Sequence, residues 1–376
     1  MRAGYVVLTS KHHEGFTLWK SDFESYEGKD VFVGRDIVGD LAKSLSGTDI
    51  KLGLYYSGGL DWQWNDVIDT EKWRPVQPPQ AEYGVYALNQ LKELASKYKP
   101  SILWNDLGWP KSTKGELLDY LKQYLASDSQ FLVNDRWSLP KTAWRGDFLT
   151  PEYKLIETVQ ERPFEMNRGL GQSFGFNRME GKADTIRPDD LARLFIDVVS
   201  KNGNMLLDIA PMADGSLAEV QEDCLRQFGT WLNGTEGLFN TKPFMQPGYS
   251  YEAGSTTMKN IRLTQSQSED TLFIHILNPD EISDHKVRKF LNNDQYKIKI
   301  VQLDIPKNIP AEHSLKELIK FCYLEGRQLS PAVETNEFIS LNIFSNWISD
   351  HERLKLITGN NMPIVIKCMT KDGRFM

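Results

Sequence analysis

Short apolar, β-branched runs alternate with longer amphipathic stretches over roughly the first two thirds of the chain. The runs predicted as strands are Tyr5-Val6-Val7-Leu8-Thr9, Lys51–Tyr56, Ser101-Ile102-Leu103, Gln130-Phe131-Leu132-Val133, Gly171–Phe176 and Asn204–Ile209. Such β-branched runs suit strands covered on both faces. Between them, Ile37, Leu41 and Leu45 recur at helical spacing, with Val38 and Ala42 widening the same face, so Asp36–Ser46 reads as a helix. Helices are predicted in the same way over Gly84–Lys99, Glu116–Ser127, Pro188–Ser200 and Ala218–Gly234. Asp189 and Asp190 suit the N-terminal end of the Pro188 helix.

Strands alternating with helices imply βαβ units and a parallel sheet. Past residue 242 the pattern changes to alternating segments: Asn260–Thr264, Thr271–Leu277, Tyr296–Val301, Phe338–Ile343 and Met362–Cys368. These predict a small antiparallel β domain. The expected organisation is an α/β (β/α) TIM-like barrel domain over residues 1–242 and an antiparallel β domain over 243–376. Polar and aromatic residues recur just after the strands: His12, His13, Tyr55, Asp106, Arg136 and Asp208. In a barrel those loops build the active site, whereas an open sheet gathers function near one switch point. Contributions from so many strands favour the barrel. No Gly-rich phosphate fingerprint follows any strand, which counts against a nucleotide enzyme; no cofactor is expected.

Composition adds exclusions. A net charge of -7 argues against a nucleic-acid-binding surface. No run of 18 or more apolar residues predicts a membrane span. The 3 cysteines, Cys224, Cys322 and Cys368, have neither metal-type spacing nor an even count for a disulfide framework. Cys224 falls in a helical pattern, as a buried thiol would. The 10 Trp and 14 Tyr fit sugar binding, because pyranose C–H faces stack on rings, although large cores also use Trp.

The stretch Ser101–Pro110 concentrates the candidate chemistry. Asp106 follows a strand directly, between Trp104 and Trp109, and Gly108 and Pro110 then break regular structure. A carboxylate flanked by indoles suits a sugar subsite; an Asp capping the next helix among core tryptophans is the alternative. Glu152, beside Pro151 and Tyr153, is its best partner. A retaining glycosidase needs one carboxylate as nucleophile and one carboxylic acid as proton donor, about 5–5.5 Å apart. Asp135, Asp147, Glu165 and Asp208 are rivals. The adjacent His12 and His13 could ligate a metal, but no Cys or acid cluster supports this, and hydrogen bonding to a hydroxyl-rich ligand fits better. Arg136 could clamp a carboxylate or form a helix-end ion pair. Asn233-Gly234-Thr235 is a glycosylation triplet only in a secreted chain.

Together these stretches resemble the retaining α-L-fucosidases of glycoside hydrolase family 29. The matching segments are Tyr5–Phe16 (YVVLTSKHHEGF), Leu54–Trp62 (LYYSGGLDW), Leu103–Pro110 (LWNDLGWP), Asn134–Trp137 (NDRW), Thr150–Tyr153 (TPEY), Arg168–Arg178 (RGLGQSFGFNR) and Val198–Gly215 (VVSKNGNMLLDIAPMADG). They fall in order up to about residue 240. The resemblance implies a (β/α) barrel followed by a β-sandwich. It implies Asp106 as nucleophile and Glu152 as acid/base, with His12, His13, Tyr55, Trp104 and Arg136 lining a fucose pocket, and no metal. The WNDLGWP form looks like the broad-specificity branch of the family. Fucosylated glycans or glycoconjugates are the implied partners, a homo-oligomer stays open, and a secreted, periplasmic or lysosomal location is suggested.

Two departures stand out. Asp208 takes a place where the family more often has Asn. Family members also begin well before the strand at Tyr5, with a His and a Glu that contact fucose in that earlier part. Six or seven strands are counted here against eight in a full barrel. The reading is therefore an N-terminally incomplete barrel. An inactive remnant or a non-catalytic fucose-binding protein is the competing expectation.

Overall fold

The structure, a computed structural model, describes residues 3–139 apart from 67 and 70–73, 146–251 apart from 246, and 260–268, 271–278, 301–306, 319–324, 327–328, 333–334, 338–343 and 362–370. The chain divides into two compact units, one of residues 3–150 and one from Pro151 onward.

The first unit is built on parallel strands joined by helical crossovers. In chain order it contains β1 (Tyr5–Lys11), α1 (Ile37–Leu45), β2 (Lys51–Tyr56), a short antiparallel pair β3 (Ile68–Asp69) and β4 (Arg74–Pro75), α2 (Ala81–Tyr98), β5 (Ile102–Asn105), α3 (Lys114–Ser127) and β6 (Leu132–Val133). The sheet order is β1-β2-β5-β6, and every pairing in it is parallel. Helix α1 starts at Asp36, whose carboxylate accepts from the Gly39 N–H at 2.8 Å, as an N-cap does. Helix α2 ends at Lys99 in the left-handed region, φ 47°.

Strand alternation decides which residues meet which layer. Leu54, Tyr56, Leu103 and Val133 face the helices and join Leu88, Leu91 and Leu94 of α2 and Leu117 and Leu121 of α3 in one core. Burying each such leucine contributes about 2 kcal/mol. The opposite face carries Tyr5, Val7, Tyr55, Ile102, Trp104 and Phe148. Trp109, left open between core and stacking platform in the sequence, is wholly buried in the helix-side core. There it tilts against Trp137 and donates from Nε1 to Thr113 Oγ1 at 3.1 Å.

The second unit begins with β7 (Phe164–Gly169), α4 (Pro188–Ser200), β8 (Gly203–Asp208) and α5 (Glu219–Gly234). Strands β7 and β8 pair in parallel from Phe164↔Gly203 to Gly169↔Asp208. Here the sequence reading is corrected: Gly171–Phe176 is loop, and the strand lies before it. Gly175 sits at φ 86°, a turn conformation that a strand cannot hold. Cys224 on α5 is buried as expected, and burial pushes its thiol up to about 11.

The remaining strands are β9 (Thr241–Pro243), β10 (Ile261–Ser266), β11 (Thr271–Ile276), β12 (Val301–Pro306), β13 (Ile319–Leu324), β14 (Arg327–Gln328), β15 (Val333–Glu334), β16 (Phe338–Ile343) and β17 (Ile364–Thr370). They form a sheet of order β14-β13-β17-β11-β10-β9 and another of order β12-β16-β15, both antiparallel. Of the strand expected at 296–301, residues 296–300 lie outside the described residues. Helices α4 and α5 are tied to the first of these sheets. Arg262 of β10 donates from Nε to Asp197 Oδ1 at 2.6 Å, Lys201 donates to Asp197 Oδ2 at 2.8 Å, and Trp231 Nε1 donates to the Pro363 carbonyl at 2.9 Å. The boundary expected at residue 242 falls inside this unit. Among the described residues no helix is long and apolar enough to cross a membrane.

Candidate active site

The ends of the four parallel strands of the first unit bring six of the expected residues together. Tyr55 of β2 and Trp104 of β5 are register partners and stack at 5.4 Å between ring centroids. Neighbouring strands lie about 4.8 Å apart, so paired flat side chains on one face fall into contact. The row continues on both sides. His12, just past β1, stacks on Tyr55 at 5.9 Å, and His13 stacks on His12 at 3.9 Å. At the other end the Arg136 guanidinium, from the loop after β6, lies 4.7 Å from the centre of the Trp104 ring. Planar groups thus run across the sheet in strand order.

Asp106 follows β5 by one residue, so it points to the same side as Trp104. Its Oδ2 accepts from Tyr55 Oη at 2.9 Å. Its Oδ1 accepts from Arg136 Nη1 at 3.0 Å and from the Leu107 N–H at 2.8 Å. The Asp106 side chain is only 14% exposed. It caps no helix, since the chain turns through positive φ at Leu107 and Gly108. Arg136 is anchored at every nitrogen: Nε donates to Thr150 Oγ1 at 2.8 Å and Nη2 to the Thr150 carbonyl at 2.7 Å. Thr150 in turn donates to Asp135 Oδ1 at 2.6 Å, which gives that rival acid a supporting role. Asp147, another rival, accepts from the Val133 N–H at 2.8 Å.

The two histidines differ. His12 faces Glu14, Nδ1 to Oε2 at 3.0 Å. Burial alone would raise the Glu14 carboxyl, but hydrogen bonds from His12 and the backbone outweigh it and hold the group below its ordinary value. His13 is pulled down to about 4, chiefly by burial and then by the His12 charge, against the attraction of Asp106 and Glu14. It is therefore neutral at neutral pH. Among the described residues no group of three or more His, Cys, Asp or Glu side chains is placed to hold a metal ion.

Two residues that the sequence reading missed hold the strand ends together. Asn105 and Asn134 are fully buried. Asn134 exchanges two hydrogen bonds with the Asn105 backbone, at 2.9 and 2.8 Å. Asn105 accepts from the Gly58 N–H at 3.0 Å and donates to the carbonyls of Gly108 and Arg136, both at 2.8 Å. These amides lock the β2, β5 and β6 loops into one frame. The signal was present as Asn-Asp repeated after two successive strands, at 105–106 and 134–135.

Glu152 belongs to the second unit. It is exposed and bridges in parallel to Asn167 of β7. The next residue, Tyr153, takes a left-handed φ of 49° and accepts from the Gly169 N–H at 2.9 Å, with Arg168 over its ring at 5.4 Å. Of the rivals in this unit, Glu165 is buried within β7. Asp208 ends β8 and accepts from the Gly175 N–H at 3.1 Å, while burial pushes its carboxyl up.

The sequence profile of the alpha-L-fucosidase family matches residues 2–236. The chain is similar to an alpha-L-fucosidase of Dictyostelium discoideum, at 32% identity over 271 residues, covering 68% of this chain and 57% of that protein. An alpha-L-fucosidase of Branchiostoma floridae is 32% identical over 263 residues, covering 67% and 58% respectively. Among solved structures, Thermotoga maritima alpha-fucosidase in complex with a mechanism-based inhibitor superposes with a TM-score of 0.73 at 27% identity, covering 98% of this chain and 76% of that one. The chain spans a little over half the length of the curated relatives it matches.

Proposed function

The chain belongs to the alpha-L-fucosidase family, and on that premise we propose that it is a retaining glycoside hydrolase releasing α-linked L-fucose from fucosylated glycans. The observation that carries this reading is the Asp106 carboxylate, held between the Tyr55 phenol and the Arg136 guanidinium at the end of a row of flat side chains.

In the first step an oxygen of Asp106 attacks the anomeric carbon while Glu152 gives its proton to the leaving glycosidic oxygen. A fucosyl ester of Asp106 forms and the aglycone departs as an alcohol. In the second step Glu152, now a carboxylate, takes a proton from water as the water oxygen displaces Asp106, and fucose leaves with its configuration retained. Tyr55 and Arg136 fix the direction of the Asp106 oxygens. They also receive the carboxylate when it leaves the sugar, which preorganised donors do without reorganisation. Trp104, Tyr55 and the two histidines supply flat apolar faces and hydrogen-bonding edges, the combination a deoxy sugar with one methyl and several hydroxyls needs. The fold that goes with this reading is a (β/α) barrel over residues 1–242 with an antiparallel β-sandwich over 243–376. The parallel strands and the antiparallel C-terminal sheets support it.

Hydrolysis of a nitrophenyl α-L-fucoside tests the proposal. The expected result is nitrophenol release, α-L-fucose as the first anomer seen by NMR, and loss of release in Asp106→Ala. With Glu152→Ala, azide is expected to restore turnover of an activated fucoside and to form α-L-fucosyl azide, the net result of two inversions. First appearance of the β anomer would refute retention. Fucose binding by calorimetry with no turnover of any fucoside would make the chain a non-catalytic fucose-binding protein.

A further inference from the structure

Ser57 is the first residue after β2 and is fully buried. Its Oγ lies 2.7 Å from His13 Nδ1 and 2.9 Å from the Leu60 carbonyl oxygen. A serine hydroxyl carries one proton and two lone pairs, and a carbonyl oxygen only accepts. The Ser57 proton therefore goes to Leu60. A lone pair is left facing the histidine, and the proton in the shorter contact must sit on Nδ1.

We infer that Ser57 is a positioning residue that fixes His13 as its Nδ1–H tautomer, so that His13 Nε2 accepts a hydrogen bond from a hydroxyl of the sugar. A neutral imidazole has one ring proton, and Ser57 holds it at Nδ1. Burial keeps His13 neutral, so Nε2 keeps its lone pair. This differs from the case of His12, whose Nδ1 faces a carboxylate, an acceptor in its own right.

The frame around Ser57 leaves it little freedom. Its N–H donates to the Lys11 carbonyl at 3.0 Å, and its own carbonyl accepts from Lys11 Nζ at 3.2 Å. Lys11 Nζ forms an ion pair with Asp61 at 2.9 Å, with both side chains fully buried. Asp61 Oδ1 accepts from the Gln63 N–H at 3.0 Å, and the Trp62 N–H donates to the His13 carbonyl at 2.7 Å. The strand end bearing His13 and the loop bearing Ser57 are thus tied at several points. Rotation of the Ser57 hydroxyl towards His13 would forfeit its bond to Leu60 inside a buried turn.

The consequence is a rule for the ligand. At His13 the site takes a group that donates, such as a sugar hydroxyl, and gains nothing from a fluorine or an ether oxygen in its place. This rests on the fucosidase reading for the identity of the ligand but not for the tautomer.

The test is two-bond nitrogen–proton NMR of the full chain labelled with 15N-histidine, the His13 signals being identified by their loss in His13→Gln. A protonated-type Nδ1 and an unprotonated-type Nε2 are expected, moving to a tautomer mixture in Ser57→Ala. An Nε2–H pattern in the wild-type chain overturns the inference whatever the activity. In parallel, fucosides with each hydroxyl replaced in turn by fluorine are compared in both proteins. At one ring position the replacement is expected to raise KM about tenfold in the wild-type chain and far less in Ser57→Ala. Equal losses in both proteins at every position overturn the hydroxyl role. If Ser57→Ala does not fold, the wild-type spectrum still decides the tautomer. If no fucoside binds or turns over while the Nδ1–H pattern stands, the fucosidase reading fails and the tautomer assignment survives.

Discussion

Tyr55 Oη and Asp106 Oδ2 are 2.9 Å apart, a hydrogen bond thrown across from one parallel strand to the loop that follows its neighbour. The phenol donates and the carboxylate accepts, so the bond orients the oxygen without neutralising it. Hydrogen bonds to charged acceptors contribute about 1.5–3 kcal/mol. Tyr55→Phe is therefore expected to lower kcat/KM on a fucoside by roughly 10- to 100-fold, with the unfolding midpoint nearly unchanged. Steady-state kinetics beside a thermal melt checks this. Wild-type activity in Tyr55→Phe would remove the phenol from the mechanism.

Arg136 sends its three nitrogens to Asp106 and to both oxygens of Thr150 while its plane covers Trp104. A lysine keeps the charge but has neither the fork nor the plane. Arg136→Lys is expected to lose about 100-fold in kcat/KM, and Arg136→Ala more. Equal activity of Lys and Arg at this position would show that charge alone suffices.

The buried pair Lys11–Asp61 gives a prediction about stability. Removing one partner of such a pair leaves an uncompensated charge and costs about 3–5 kcal/mol. Lys11→Met is expected to lose that much in urea unfolding, and Lys11→Met with Asp61→Leu to recover most of it. A loss below 1 kcal/mol in the single variant would mean that the interior hydrates Asp61 well.

The pH dependence has a definite sign. Burial is the leading cause that holds His13 at about 4 and His275 at about 3, against 6.5 for an ordinary imidazole. Between those values and 6.5 the unfolded chain binds protons that the folded chain does not, so stability falls as the pH drops through this window. The contribution is fully present above 6.5. His13→Asn and His275→Asn are each expected to flatten the stability profile between pH 6.5 and 4, read as the shift in urea midpoint. An unchanged slope in both variants would rule out these rings as its source.

Gly59 meets the loop behind Asp106 closely. A Cβ there would stand 2.1 Å from the Leu107 carbonyl oxygen, a backbone atom that cannot swing aside. Gly59→Ala is expected to cost about 1–3 kcal/mol and to lower activity by displacing Leu107. Retention of both would mean that the two loops separate without disturbing Asp106.

Many elements of both units were legible because their strands and helices obey simple periods. Lys51–Tyr56 and Phe338–Ile343 are strands as expected, and Pro188–Ser200 a helix. The failure at β7 has a physical cause. Its sequence, Phe164-Glu165-Met166-Asn167-Arg168-Gly169, places Glu165 and Asn167 at buried positions. A strand that buries polar groups hides its pattern, while the aromatic loop after it imitates one. That His12, His13, Tyr55, Trp104, Asp106 and Arg136 lie together was legible through their repetition at the strand ends. Asn105 and Asn134 left only the repeated Asn-Asp as a trace, because their work is done with amide groups in the interior. Ser57 was hidden for a different reason: its partner is set by where one hydroxyl proton goes.

The row of planar groups across β1, β2, β5 and β6 has a consequence for how such a chain can vary. Strands β2 and β5 supply Tyr55 and Trp104 by parity, since neighbouring positions point to opposite layers. Inserting or deleting one residue inside β2 would exchange Tyr55 with a helix-facing neighbour and break the row at its centre. The same change in β5 would carry Trp104 and Asp106 away together. A change of length in the connections outside these strands leaves the row in register, whereas one inside β2 or β5 does not.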